Sequence, residues 1–411
     1  MRNIEAGRVY LVSSLVAGAA YSTVFTLSQI YRIVTVELDP LQLVLVGTVL
    51  EATIFVFEIP TGVVADVYSR RLSTIIGTAL TGLAFLVEGT FPVFGAILLG
   101  EVLWGLGYTF ISGAEDAWIA DEVGPDRVGP LYLRSTQLFE IGALTAIPLS
   151  VALGQLSLNL PFQVGGAIFL GLAGFLWLFM SEEGFTPVPR GERRTWKVFT
   201  GTMGQGLRLA RTRRVLLWLL VAATFVGLYS EGYDRLREAH LLAEISFPAF
   251  AGLSVVAWFG ILELGRRLLT LASTELVRRR VDTQDEARLT RALQGIYGLV
   301  SAAILIFTLT DRFAVAFAAA WLIGALRVTA GPLYLAWINR HTDSAVRATV
   351  ISMWGQVDAL GQIIGGPFVG AIGTLRSIRA ALIASAILLS PALPLFGLAG
   401  RASQDSDDPA N

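Results

Sequence analysis

Long apolar stretches separated by short polar breaks run along this chain from end to end. They fall near 8–31, 41–65, 70–88, 91–120, 129–156 and 161–180. A polar stretch over about 181–212 follows, and six more lie near 213–243, 248–277, 286–309, 311–339, 345–373 and 376–400. A helix needs about 20 apolar residues to cross the hydrocarbon core of a bilayer. Several segments exceed that, which allows tilt or extension beyond the lipid. In lipid a single segment satisfies its backbone hydrogen bonds only as a helix. The pattern therefore predicts an all-α membrane protein with twelve transmembrane helices in two six-helix halves. The predicted parts are an N-terminal bundle over 1–180, a linker over 181–212, a C-terminal bundle over 213–400 and a disordered polar tail over 401–411.

The polar breaks carry the topology. With the N-terminus placed inside, 22 of the 31 Lys and Arg residues fall on the inner side, among them Arg70, Arg71, Arg278, Arg279 and Arg280. Six fall outside, and Arg266, Arg267 and Arg327 lie within segments. Basic loops stay in the cytoplasm, so both termini and the central loop are expected there, in a multi-pass protein of the cell's inner membrane. Within the loop, apolar and basic residues from Trp196 to Ala210 recur at roughly helical spacing, which predicts an amphipathic helix on the inner membrane face. The first apolar stretch reads as a retained span.

Composition supports this and removes other classes. Hydrophobic residues make up 54% of 411 and charged ones 15%, with a mean hydropathy of +0.64; a soluble domain of this size still leaves much of its chain outside and cannot hide so much apolar surface. The net charge of −1 gives no electrostatic case for nucleic acid. There are no cysteines and only two histidines, His240 and His341, so neither thiol catalysis nor a Cys- or His-built metal site is expected. Both histidines lie near predicted helix ends and are expected at the surface. The sequence shows neither a nucleophile–base set nor a glycine loop ending in Lys-Ser/Thr, so an enzyme and an ATP-driven pump are both disfavoured. No cofactor is expected.

The halves echo each other. Asp66-Val67-Tyr68-Ser69-Arg70-Arg71 follows the second segment, and Glu275-Leu276-Val277-Arg278-Arg279-Arg280 holds the matching place after the eighth. Two such repeats suit a transporter with its site near the midplane. The stretch Glu58-Ile59-Pro60-Thr61-Gly62-Val63-Val64-Ala65-Asp66-Val67-Tyr68-Ser69-Arg70-Arg71 resembles the loop between helices 2 and 3 of the major facilitator superfamily, Gly-x-x-x-Asp-Arg-x-Gly-Arg-Arg/Lys. Gly62, Asp66, Arg70 and Arg71 match; Val67 and Ser69 depart from the usual Arg and Gly. The resemblance implies a cytoplasmic gate in which Asp66 meets the start of helix 11 and Arg70 pairs with an acid at the inner end of helix 4, here Asp121. Ser112–Glu122, Ser230–His240 and Arg347–Ser352 resemble the bacterial twelve-helix drug–proton antiporters, the tetracycline and macrolide exporter branch. The paired-glycine motif usual on helix 5 of that branch is absent; Gly361, Gly365-Gly366-Pro367 and Gly370 form a similar pattern in segment 11.

Charges inside the spans are the most informative single residues, since each costs about 2.5–3.5 kcal/mol at the bilayer centre on insertion scales. Glu51 and Glu58 lie seven apart and share a face. Glu101, Trp104, Tyr108, Ser112 and Glu115 are spaced as one helical stripe, an acid–aromatic lining for a cavity that takes amphipathic or cationic compounds. Glu140 and Asp358 lie within segments 5 and 11. A carboxyl group in a low-dielectric cavity can exchange protons, so Glu101, Glu140 and Asp358 lead as coupling or substrate residues, against a structural ion pair for each. Arg327 has no acid within a turn and must reach across, to Asp358 or to an anion. Tyr21, Phe25, Ser28, Gln29 and Arg32 follow helical spacing and either line the pathway or bond between helices. Glu263 can neutralise Arg266 or Arg267. Glu231, Asp234 and Arg235 are outer-gate candidates or a solvated helix end.

These residues predict a monomeric carrier whose partners are a small-molecule substrate, protons and the bilayer. The leading expectation is proton-driven export of a drug-like hydrophobic or cationic compound by alternating access. The alternatives are a proton-coupled or facilitative uptake carrier for a metabolite, lipid or siderophore, and a non-transporting membrane receptor.

Overall fold

The computed structural model describes residues 5–187, 201, 204, 208, 211–250, 252–282, 285–342 and 344–407. Every predicted segment is helical. The helices are α1 (Ala6–Thr35), α2 (Pro40–Val67), α3 (Arg70–Thr90), α4 (Phe94–Val123), α5 (Pro125–Leu156), α6 (Leu160–Phe179), α7 (Arg214–Glu244), α8 (Val255–Arg280), α9 (Glu286–Leu309), α10 (Phe313–Arg340), α11 (Ser344–Leu375) and α12 (Ile378–Leu389, resuming over Ala392–Asp407). Among the described residues, ten are long and apolar enough to cross a membrane. The two below that measure are α8, with Glu263, Arg266 and Arg267 near its centre, and α11, where Asp358 and Gln362 adjoin a run of glycines.

Local chemistry sets the boundaries. The side chains of Ser69, Asp285 and Ser377 cap α3, α9 and α12 by accepting from the N–H of Leu72, Arg288 and Ala380. Gly124, with φ +84°, separates α4 from α5, and Pro125 opens α5 at the position that needs no N–H. Two helices are broken internally. The first regular stretch of α1 ends at Phe25, and its last turn, Tyr31–Thr35, is a wide π turn, a form frequent at functional sites. α4 breaks at Ser112–Gly113, where Gly113 adopts the left-handed φ of +74°.

The helices gather into two compact units. The first comprises Met1–Leu38, Val49–Phe199 and Gly252–Ile261; the second comprises Asp39–Thr48, Thr200–Ala251 and Leu262–Asn411. Both α2 and α8 are thus divided between units, whereas the sequence expectation assigned each whole helix to one bundle. An apolar run marks a helix but not which neighbours each end packs on. In the first unit α1 packs on α5 and α6, and α3 on α4 and α6. In the second, α7 packs on α11 and α12, and α9 on α10 and α12, the same scheme shifted by six helices. Glycines permit the closest of these approaches. A Cβ on Gly18 would strike the Phe139 carbonyl, and one on Gly142 the Leu15 carbonyl, between α1 and α5. Gly227 lies against the Asp358 carbonyl and Gly365 against that of Leu228, between α7 and α11.

Two expectations need correction here. The supposed disordered tail is helical as far as Asp407, and the Ser403 hydroxyl bonds the His341 ring at 3.0 Å, which holds the extra turns to the end of α10. His240 is fully buried rather than at the surface: its Nε2 meets the Phe307 carbonyl at 3.2 Å, and its ring packs on that of Phe307. The amphipathic helix expected over Trp196–Ala210 lies outside the described residues except for Gly201, Gly204 and Arg208, which are helical.

Candidate functional site

Three groups of charged and aromatic side chains stand out, two in the first unit and one in the second. The first begins with the π turn of α1. Arg32 is its second residue and is 1% exposed. Its guanidinium donates to Glu88 Oε2 on α3 at 2.8 Å and to Glu101 Oε1 on α4. The Tyr31 hydroxyl donates to the Glu88 carbonyl at 2.6 Å. Both carboxylates are fully buried, and Glu101 Oε2 has no hydrogen-bond partner among the described residues. Two carboxylates share one guanidinium here. Glu88 escaped the sequence reading because an acid at the end of an apolar run looks like the end of the span.

One to two turns toward the N-terminus of α1 lies an aromatic group. The Tyr21 and Phe25 rings stack at 5.6 Å, Phe25 meets Trp104 of α4 at 4.9 Å, and Tyr21 meets Phe169 of α6 edge-on at 4.7 Å. Phe25 and, further along α4, Tyr108 are exposed on the unit's surface. Tyr108 is within electrostatic reach of Glu58 and Glu51, and Glu58 is exposed as well. Gln29 is half-buried, with its Oε1 unbonded among the described residues. Glu140 is half-buried on α5.

The stripe expected from Glu101 to Glu115 is kept in part: Tyr21 of α1 interacts with Trp104, Tyr108 and Glu115, and Tyr108 interacts with Ser112. Glu101 is buried against α1 and α3, Tyr108 is exposed, and the left-handed Gly113 redirects the rest of α4. Glu115 also accepts from Ser13 Oγ of α1 at 2.8 Å, and Asp116 accepts from the Tyr10 hydroxyl at 3.0 Å. Helical spacing holds only while the helix is continuous.

In the second unit, Arg327 of α10 grips Asp234 of α7 through both guanidinium Nη atoms, with Nη2 to Oδ2 at 2.7 Å. The guanidinium lies 5.5 Å from the Tyr229 ring centroid and 5.8 Å from that of Tyr233, within cation–π range. Arg327 therefore pairs with Asp234 and not with Asp358; Asp234 also lies within electrostatic reach of Arg235. Arg235 pairs with Glu231 at 2.6 Å, with Glu231 buried. Asp358 accepts from Gln362 Nε2 at 2.9 Å, one turn along α11. Glu263 binds both Arg266, at 2.6 Å, and Arg267, at 2.8 Å.

The residues expected to form the gate lie at the C-terminal ends of α2 and α4 and the N-terminal end of α3. Gly62 and Asp66 are half-buried on α2. Arg70 pairs with Asp121, the partner the resemblance implies, and also donates to the Ala117 carbonyl at 3.0 Å. Arg71 donates through Nη2 to the Trp177 carbonyl at 2.6 Å. Among the described residues, no group of three or more His, Cys, Asp and Glu side chains is placed to hold a metal ion.

Comparison with known proteins places this geometry in context. A family model described as Major Facilitator Superfamily matches residues 9–357. An uncharacterized MFS-type transporter of Bacillus subtilis (strain 168), YxaM, is 22% identical over 369 residues, 89% of each chain. A bacterial homologue of the human lysosomal transporter Spinster, solved inward-facing and unoccupied, superposes with a TM-score of 0.75 at 17% identity, covering 98% of both chains. The nucleoside transporter NupG gives 0.73 at 13%, covering 98% of this chain and 100% of that one. The peptide transporter POT, in complex with sulfate, gives 0.74 at 16%, covering 97% and 95%. At these identities the likeness to solved structures is one of fold.

Proposed function

The chain belongs to the Major Facilitator Superfamily, and from that premise we propose that this membrane transporter exports a drug-like hydrophobic or cationic compound in exchange for protons. It works as a monomer of the inner membrane with both termini in the cytoplasm. Twelve helices in two pseudo-symmetric six-helix halves alternate access to a midplane site. The observation that carries the substrate class is the surface formed by Tyr21, Phe25, Trp104 and Tyr108 beside Glu51 and Glu58. Aromatic faces attract cations through the ring quadrupole, and carboxylates add charge. Flat apolar bodies stack on the same rings. Protonation of a carboxyl group in such a site weakens its hold on a cation on one side of the membrane, and deprotonation restores it on the other. Glu101, Glu140 and Asp358 are the proposed coupling acids, with Arg327 and its partner Asp234 in a substrate-facing or supporting role. Gly62, Asp66, Arg70, Arg71 and Asp121 form the cytoplasmic gate, and Glu231 and Arg235 belong to the outer one.

Transport by the purified protein in liposomes tests this reading. Ethidium and tetraphenylphosphonium are expected to move against their gradients when a pH gradient is imposed, and Glu101→Gln, Glu140→Gln or Asp358→Asn is expected to uncouple the two flows. If organic cations never move while nucleosides or peptides do, the export reading is wrong and the uptake-carrier alternative takes its place.

A further inference from the structure

Past Phe179, at the end of α6, the chain does not simply leave the membrane. Ser181 to Phe185 folds back across the inner ends of α3 and α4 and is fixed there by side chains from both. From α4, the Trp118 indole N–H donates to the Ser181 carbonyl at 2.6 Å, and Trp118 is 2% exposed. The Glu122 carboxylate takes three bonds from the strap: Ser181 Oγ at 2.7 Å on Oε2, and the backbone N–H groups of Glu183 and Gly184 at 2.6 and 2.8 Å on Oε1. A Cβ on Gly184 would collide with the Asp121 backbone, so the strap lies directly on the residue that pairs with Arg70.

From the strap, Glu182 reaches the start of α3. Its Oε1 accepts from the Arg71 backbone N–H at 2.9 Å, and its Oε2 accepts from the Ser69 hydroxyl at 2.6 Å. A carboxylate at the first turn of a helix completes its cap and is favoured by the helix dipole. The turn so fixed carries Arg70 and Arg71. The Phe185 ring lies 5.7 Å from the Arg70 guanidinium, on the same side chain that Asp121 engages.

We infer that Glu122 and Glu182 are positioning residues of the cytoplasmic gate, and that the first five residues of the central linker are a working part of it. The inference rests on the gate reading of Arg70 and Asp121 given above. Physically, α6 and the linker hold the first turn of α3 through one carboxylate and the last turn of α4 through another. Arg70 is presented to Asp121 only while both ends of this clamp are made. Pulling on the linker, or removing either carboxylate, lets that turn reorient and loosens the gate without touching it.

The chain has no cysteine, so a single Tyr108→Cys reporter gives one labelling position. The full-length protein in inside-out vesicles is treated with a membrane-impermeant maleimide, and the labelling rate is measured. Arg70→Gln and Asp121→Asn open the gate directly and should raise the rate. Glu122→Gln and Glu182→Gln should raise it by a comparable factor, about tenfold or more for loss of bonds to a charged acceptor. Glu182→Asp, which keeps the charge, should return most of the way. Gly184→Ala, which forces the strap off Asp121 while leaving every acid in place, should act like Glu122→Gln and carries the test if the acid variants fail to elute as folded protein. Labelling of Glu122→Gln, Glu182→Gln and Gly184→Ala at the parent rate, while Arg70→Gln and Asp121→Asn label faster, overturns the strap and leaves the gate standing. Parent rates in all five variants overturn the gate reading and the strap with it.

Discussion

Arg327 on α10 and Asp234 on α7 meet through both Nη atoms of the guanidinium, with the faces of Tyr229 and Tyr233 beside the cation. Such a two-pronged pair fixes the orientation of both side chains. The Asp234 side chain keeps 40% of its surface exposed, so breaking the pair costs less than the about 3–5 kcal/mol of a fully buried one. Arg327→Gln and Asp234→Asn should each lower thermal stability in detergent. The double variant should recover part of that loss, and a double-mutant cycle on unfolding temperatures measures the coupling. Simple additivity would show that the pair does not act as a unit.

Arg32 should be the more sensitive member of its group. Arg32→Met leaves Glu88 and Glu101 without the guanidinium both of them bond, whereas Glu101→Gln leaves one carboxylate facing one guanidinium. Unpaired buried charge is the larger penalty, about 3–5 kcal/mol. The expected order of melting temperatures is parent, then Glu101→Gln, then Arg32→Met. The reverse order would mean that Glu101 contributes more to stability than the charge balance implies.

Close helix approach gives a steric prediction. Gly18→Ala and Gly142→Ala push a methyl into backbone carbonyls between α1 and α5, and Gly227→Ala and Gly365→Ala do so between α7 and α11. Overpacking of this kind costs about 1–3 kcal/mol. Gly295, also in a helix, has nothing within 4 Å of its would-be Cβ, so Gly295→Ala should be neutral or mildly stabilising. Thermal scans of the five variants separate packing from propensity.

Gly113 tests the break in α4. Its would-be Cβ meets nothing within 4 Å, but its φ of +74° is one that L side chains rarely adopt. Gly113→Ala should destabilise by about 1 kcal/mol through backbone strain, and Gly113→Asn should cost less, since Asn tolerates the left-handed region. Equal losses for Ala and Asn would place the cause elsewhere.

Much of the fold was legible in the sequence because lipid permits so few backbone solutions. Twelve apolar runs read as helices and are helices, and beside the echo of Asp66-x-x-x-Arg-Arg in Glu275-x-x-Arg-Arg-Arg the packing of α1, α3, α4, α5 and α6 recurs six helices later. The basic clusters at Arg70-Arg71 and Arg278–Arg280 fell at helix ends, where charge can reach water. The candidate site was less legible. Glu101 and Arg327 were recognisable as costly intramembrane charges from their place within apolar runs, whereas Arg32 read as one of the outer basic residues. Their partners were not recognisable: Glu88 lies 56 positions from Arg32, and Asp234 lies 93 from Arg327.

What the sequence by itself determined is the number and extent of the helices, since that follows from the apolar length a bilayer demands. It also marked some of the charges that stand inside the span, Glu101 and Arg327 among them. The tertiary structure decided which of those charges meet. Periodicity describes one face of one unbroken helix, and here a π turn in α1 and a left-handed glycine in α4 change which face each side chain occupies. Ion pairing between helices then depends on which helices pack together, which no local spacing encodes. So Arg327 found Asp234 rather than Asp358, Glu115 turned to Ser13, and five residues of a polar linker became the clamp on Arg70.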